Sequence, residues 1–194
     1  MRFRIYTSLT VMIGLLWIAS FAGAQNTEMN PAVQAELEKE KTTIAFWASN
    51  PVIIKEVQQQ NKKGPISGLD NAKWKNTPPS DPLIKTFQEN PAARFLKSKI
   101  EAKDSIFTEA FLSGSNGEKV AFVEKTTYYL HKGMPKFEVP FRKGSAWQGK
   151  PEYDESSQTY SIQISTPVFS EGVPIGVLVA GVRLSALEKS TKKP

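Results

Sequence analysis

Residues 160–184 decide the fold, and their sequence is YSIQISTPVFSEGVPIGVLVAGVRL. At the start apolar and polar residues alternate, so that Tyr160, Ile162 and Ile164 face one side of an extended chain. Residues 171–174 have turn composition, and residues 175–182 are continuously apolar, as in a strand buried on both faces. The stretch predicts an antiparallel hairpin whose second strand lies in the middle of a sheet.

A second hairpin precedes the first. Residues 105–127 read SIFTEAFLSGSNGEKVAFVEKTT, with a turn at residues 113–117 between two apolar segments. The stretch between the hairpins, residues 128–158, is rich in Tyr, Trp, Phe and Lys and predicts a loop with one short helix near residues 136–142. Such a loop across a small sheet is typical of a binding module, because rigid scaffolds position functional loops.

Helical patterns occupy the region before the sheet. Residues 30–60 have apolar side chains at helical spacing, and Asn50-Pro51 is expected to kink or split this helix. Residues 83–103 predict a second helix, interrupted near Asn90-Pro91. Residues 68–82 are turn-rich, and residues 184–189 predict a short terminal helix. The expected class is α+β, with a long N-terminal helix packed on a central antiparallel sheet of about five strands.

The N-terminus has the layout of a secretory signal peptide. Arg2 and Arg4 precede an apolar segment, residues 9–21, which ends in the small-residue cleavage pattern Ala22-Gly23-Ala24. Cleavage between Ala24 and Gln25 would place residues 25–194, as a single domain, in the periplasm or outside the cell. The alternative is an uncleaved N-terminal membrane anchor, because residues 5–24 are nearly long enough to span a bilayer.

Composition argues against several functional classes. The 194-residue chain has no cysteine, which excludes disulfides and covalent haem attachment. Its formal net charge of +6 comes from dispersed lysines, so a nucleic-acid partner is not indicated. With one histidine, His131, and no catalytic or phosphate-binding motif, we expect no enzyme, metal or cofactor. A hydrolase would require Ser, Lys and Asp to converge in a cleft.

Several short motifs resemble the extracellular Cache family of PAS-like sensor domains. AFWASNP at residues 45–51 and QQN at residues 59–61 resemble its first helix, and Leu69-Asp70 with Trp74 resembles the segment before its second. The first hairpin contributes AFL and NGEKVA, at residues 110–112 and 116–121; the closing hairpin contributes QISTPV and PIGVL, at residues 163–168 and 174–178. The resemblance covers nearly all of residues 25–194. It implies a sheet that holds a small ligand under an inserted loop, in domains that usually serve a kinase, chemoreceptor or cyclase.

The loop departs from the family pattern in one respect. Many relatives carry an acid and then an acid pair early in the loop, where this chain has Tyr128, Gly133 and Met134. Asp154 matches an acid found late in the loop. Recognition of a ligand amine by early acids is therefore not implied, and a neutral or anionic ligand is favoured. Four other loop residues match the pattern: Thr126, Tyr129, Lys136 and Phe137.

A Cache pocket needs aromatic walls and a few orienting polar groups. Lys125 suits a ligand carboxylate, and Trp147 offers a stacking face. Alternatively, the aromatics pin the loop to the sheet, Asp154 stabilises a turn, and His131 is solvated. The residues that the resemblance places nearest the ligand are Lys125, Tyr128, Tyr129, His131, Phe137, Trp147, Tyr153, Asp154 and Tyr160.

The sequence thus predicts an exported small-molecule sensor domain without its own output module. Such a domain would signal through a membrane-bound receptor or kinase partner, and its N-terminal helix could pair with a second copy in a homodimer. The alternative is a ligand-free structural or adaptor protein on the same fold. A polar hollow behind the loop would favour sensing, whereas a dry core of Trp147, Phe137 and Tyr160 would favour the adaptor.

Overall fold

A five-stranded antiparallel sheet, in the order β2-β1-β5-β4-β3, organises the protein. The computed structural model describes residues 29–154 and 158–191. The expected cleavage site at Ala24/Gln25 lies outside these residues. The elements in chain order are α1 (Pro31–Ala48), α2 (Pro51–Lys63), α3 (Asn71–Asn76), α4 (Pro82–Gln88), α5 (Pro91–Ile100), β1 (Phe107–Ser113), β2 (Lys119–Phe122), α6 (Pro135–Lys143), β3 (Trp147–Asp154), β4 (Thr159–Ser170), β5 (Val173–Arg183) and α7 (Leu184–Ser190).

None of the helices in residues 29–154 and 158–191 combines the length and the apolar composition needed to span a bilayer.

Asn-Pro and Asp-Pro pairs set the starts of the helices. At Asn50-Pro51 the side-chain Oδ1 of Asn50 accepts a hydrogen bond from the Val52 amide over 2.9 Å, and the proline occupies the first helical position. The predicted break therefore separates α1 from α2. Three further helices begin in the same way, at Asn30-Pro31, Asp81-Pro82 and Asn90-Pro91.

The sheet separates two apolar clusters. On one face Leu112, Ile162 and Ala180 pack with residues of α1, α2 and α5. On the other face Phe111 and Val179 pack in a smaller cluster with aromatic residues from α3, α4 and the loop after β2. The alternation in β4 and the double-sided burial of β5 thus confirm the pattern expected from residues 160–184.

Two elements differ from the sequence expectation. Residues 147–154, predicted as loop, form the edge strand β3; it lacks regular apolar alternation and carries Pro151 at an irregularity in its pairing. The turn-rich residues 68–82 include α3, because Oδ1 of Asp70 accepts the Lys73 amide at 2.8 Å and Trp74 anchors the helix in the core. In addition β2 ends at Phe122, whereas the sequence pattern predicts a strand over residues 119–127.

Candidate ligand-binding cavity

A cavity of about 800 Å³ lies between the sheet and the segment that follows β2. Strands β1 and β4 form its floor, β3 forms one side, and residues 124–128 with the start of α6 form its roof. Its lining is mixed in character and includes Glu109, Phe111, Tyr128, Trp147, Ser161 and Gln163.

A glycine in β5 allows two floor residues to meet. Glu109, Gly181 and Gln163 form one row across β1, β5 and β4. Nε2 of Gln163 donates to Oε1 of Glu109 over 2.6 Å, across the position without a side chain. A Cβ at Gly181 would lie 2.9 Å from Cγ of Glu109, so a larger residue would crowd this contact. Nζ of Lys136 donates to Oε1 of Gln163, which ties α6 to the floor.

Helix α3 holds the roof of the cavity. Oδ1 of Asn71 accepts the amides of Tyr129 and Leu130 at 2.9 and 2.8 Å. Nε1 of Trp74 donates to the carbonyl of Thr126 over 2.7 Å. These hydrogen bonds satisfy backbone groups that lie outside the regular strands. They also hold residues 126–130 against the smaller apolar cluster around Trp74, called the aromatic cluster below.

Charged groups of both signs surround the cavity. Burial lowers the pKa of Lys136, while Glu109 and Glu152 act in the opposite sense. Burial also lowers the pKa of Lys125, whose Nζ lies 5.2 Å from the centroid of the Trp74 ring. The ionisable lining residues include Lys125, Lys136, Lys150, Glu109, Glu124 and Glu152.

Some of the predicted site residues line the cavity and others do not. Tyr129 and Phe137 lie instead in the aromatic cluster, where they are buried. Tyr160 falls on the side of β4 opposite Gln163 and is 56% exposed. Asp154 ends β3, and its side chain lies outside the described part of the structure. Ligand contact by any of them stays a prediction. Those that line the cavity are Lys125, Tyr128, His131, Trp147 and Tyr153.

His131 is buried, although a histidine in a basic, glycine-containing loop is usually solvated. Its side chain is 2% exposed, and its ring centroid lies 4.7 Å from that of Phe111. The backbone amide of His131 donates to the carbonyl of Gly117 over 2.8 Å. Gly117 has φ +79°, and a Cβ there would lie 2.4 Å from the Lys132 amide nitrogen, so glycine permits the close approach that buries the loop.

We expect this burial to make stability depend on pH. Burial is the largest cause that lowers the pKa of His131 below its ordinary value of 6.5, and Lys119 and Lys136 add to it. Below that value the unfolded chain therefore binds a proton that the folded chain does not, and stability is lost as the pH falls. At pH 5 the neutral, buried His131 should lower the free energy of unfolding by about 2 kcal/mol relative to pH 7.5, as measured by urea unfolding. Equal pH slopes in the wild type and in His131→Gln between pH 7.5 and 5 would contradict this.

Sequence reasoning missed several groups of the cavity. Glu109, Ser161 and Gln163 were not proposed as site residues, and Lys136 was noted only as a match to the family pattern. The alternation that places Ser161 and Gln163 on one side of β4 was a usable signal. Because the opposite side of β4 is apolar and buried, a polar side facing the loop indicates a polar cavity there.

Comparison with solved structures identifies the architecture. The sensor domain of E. coli DcuS matches 84% of this chain over 100% of its own length, with a TM-score of 0.54 and 11% identity. The protein has the Cache sensor-domain fold. A Pseudomonas fluorescens chemoreceptor domain, CtaA in complex with L-serine, matches with a TM-score of 0.46, 15% identity, and coverage of 82% and 56%.

The V. cholerae DctB sensor domain, from a histidine kinase, matches with a TM-score of 0.41, 16% identity, and coverage of 82% and 60%. This chain thus spans all of the DcuS domain and 56% and 60% of the other two. No family model and no curated protein matches the sequence.

Proposed function

We propose that this protein is an exported sensor domain that binds a small molecule and signals through a membrane-bound receptor or kinase partner. The observation that carries the proposal is the cavity of about 800 Å³, which lies where the Cache resemblance places the ligand. A volume in this range accommodates a small metabolite, and the mixed aromatic and polar lining suits selective binding. The signal-like residues 1–24 support export to the compartment where such a ligand would be met.

We take the ligand to be neutral or anionic because the loop departs from the family pattern; the lining itself carries both lysines and glutamates. Lys125 and Lys136 offer ammonium groups, and Trp147 offers a ring face for stacking. The early acid positions of the family are occupied by Tyr128, Gly133 and Met134, which supply no carboxylate for an amine.

The adaptor alternative receives less support from the packing. Phe137 lies in the aromatic cluster, Tyr160 falls on the other side of β4, and Trp147 borders the cavity, so the three do not form one dry core behind the loop. A homodimer through α1 stays a prediction. The apolar stripe of α1 packs on the sheet and is not free for a second copy. The large apolar side chain of Phe46, which is also in α1, is 75% exposed.

A thermal-shift screen of the purified full chain tests the proposal. We expect one class among amino acids, carboxylates, amines and purines to stabilise the fold by about 2.7 kcal/mol at a hundred times its dissociation constant. Ser161→Phe, which fills the cavity from its floor, should abolish the shift, whereas Ser98→Phe on the exposed side of α5 should not. Silence across the panel would favour the adaptor, and a shift that survives Ser161→Phe would place the ligand elsewhere.

A further inference from the structure

A buried lysine at the start of β2 has no hydrogen-bond partner for its side chain in residues 29–154 and 158–191. Lys119 is 0% exposed, and within the described residues its Nζ finds no acceptor. Removing an amine from water without providing an acceptor is unfavourable, so a group of this kind needs a physical explanation. The isolated amine therefore points to an acceptor that binds from outside the chain.

The amine does not itself line the cavity, but the ring beside it does. Nζ of Lys119 lies 3.1 Å from the centroid of the Phe111 ring, and Phe111 lines the cavity. His131 also lines it, and its Nδ1 is likewise buried with no partner in the described part of the chain. Two unsatisfied groups thus lie beside the ring of Phe111, and moving that ring would open the cavity to the Lys119 amine.

Neither nearby carboxylate is hydrogen-bonded to the amine. Glu109 accepts a hydrogen bond from Gln163 over 2.6 Å, and Oε2 of Glu118 accepts a turn amide over 3.0 Å, whereas Oε1 of Glu118 is itself buried without a partner among the described residues. Burial is the largest cause that holds the pKa of Lys119 well below its ordinary value; Glu109 opposes this effect and Lys136 adds to it. An anion that arrives with the ligand would favour the charged form of the amine.

We propose that Lys119 is a proton-coupled anchor for a carboxylate-bearing ligand. The ligand carboxylate displaces the Phe111 ring from the amine, accepts a hydrogen bond from Nζ, and binds together with one proton taken up from solvent. The inference rests on the proposed function, because it assigns a ligand class to the same cavity. The buried pair formed by the carboxylate and the protonated amine has no net charge, which limits the cost of placing both groups away from water.

Calorimetric titration of the full chain tests the anchor with matched probes. Lactate, succinate and benzoate are compared with lactamide, succinamide and benzamide, in two buffers of different ionisation enthalpy at pH 7. We expect at least one carboxylate to bind about 10- to 100-fold more tightly than its amide. Its binding to the wild-type chain should be accompanied by the uptake of close to one proton. The difference in binding enthalpy between the two buffers measures this number without any variant.

Lys119→Met removes the amine and keeps a side chain of similar length. It should weaken the carboxylate about 10- to 100-fold, leave amide affinity unchanged and abolish proton uptake, while the free variant melts no lower than the wild type. Lys103→Met makes the same substitution at an exposed position and should change none of these quantities.

Carboxylate binding without proton uptake, or with unchanged affinity in Lys119→Met, would overturn the anchor and leave the sensor proposal standing. If no probe binds and the broader screen is also silent, both fail. If only non-carboxylates bind, the anchor alone is overturned.

Discussion

Replacing Trp74 with alanine is expected to lower the free energy of unfolding by about 4 kcal/mol. The side chain is 0% exposed, and its ring lies 5.5 to 5.7 Å from those of Phe87, Phe122 and Tyr129. The substitution removes this packing and leaves a cavity in the aromatic cluster. It also deprives the carbonyl of Thr126 of its donor at 2.7 Å, so the roof of the ligand cavity should loosen.

A matched variant separates these two contributions. Trp74→Phe keeps an aromatic ring and removes the N–H, and it should cost about 2 kcal/mol. Urea unfolding measures both costs, and hydrogen exchange of the amides at residues 126–131 measures the loosening of the roof. A loss below about 1 kcal/mol in Trp74→Ala would show that α3 does not anchor the loop.

Gly176→Ala is expected to cost about 3 kcal/mol. A Cβ at Gly176 would lie 2.4 Å from the carbonyl oxygen of Ser113 and 2.8 Å from Cγ1 of Val57. The oxygen belongs to β1, which pairs with β5 at this point, so the backbone can move away only by disturbing the ladder. The side chain of Val57 packs in the main core and has little space to yield.

The control for this variant is Gly172→Asn. Gly172 has φ +79° in the turn between β4 and β5, and a Cβ there would have no atom of the described residues within 4 Å. Asparagine tolerates this conformation, so the change should stay within about 0.5 kcal/mol. Equal denaturation midpoints for the two variants would contradict the close approach of β5 to β1 at Gly176.

Most of the fold could be predicted from local patterns. The alternation of Ile162 and Ile164 identified a half-apolar strand, the run at residues 175–182 identified the central strand, and Asn50-Pro51 marked the helix break. Strand β3 was missed because an edge strand beside a polar cavity has no apolar face for its sequence to show. The α3 helix was missed because its six residues are too few for a helical period to appear.

The candidate site was predicted less completely, for a physical reason. Loop residues such as Lys125 and Trp147 could be proposed because the family resemblance points to the loop. The floor depends on strand order: Glu109 and Gln163 meet only because β1 and β4 flank Gly181. The isolation of Lys119 likewise depends on tertiary packing, since neither its burial nor its missing partner is visible in sequence.

The measurement that tests the central claim most directly is a backbone NMR titration of the full chain with the same small-molecule panel. Binding in the cavity predicts chemical-shift changes concentrated at residues 124–131, at the start of α6 and along β3, with α1 and α2 unaffected. Changes confined to the helical face, or no change with any compound, would contradict a ligand-binding role for the cavity.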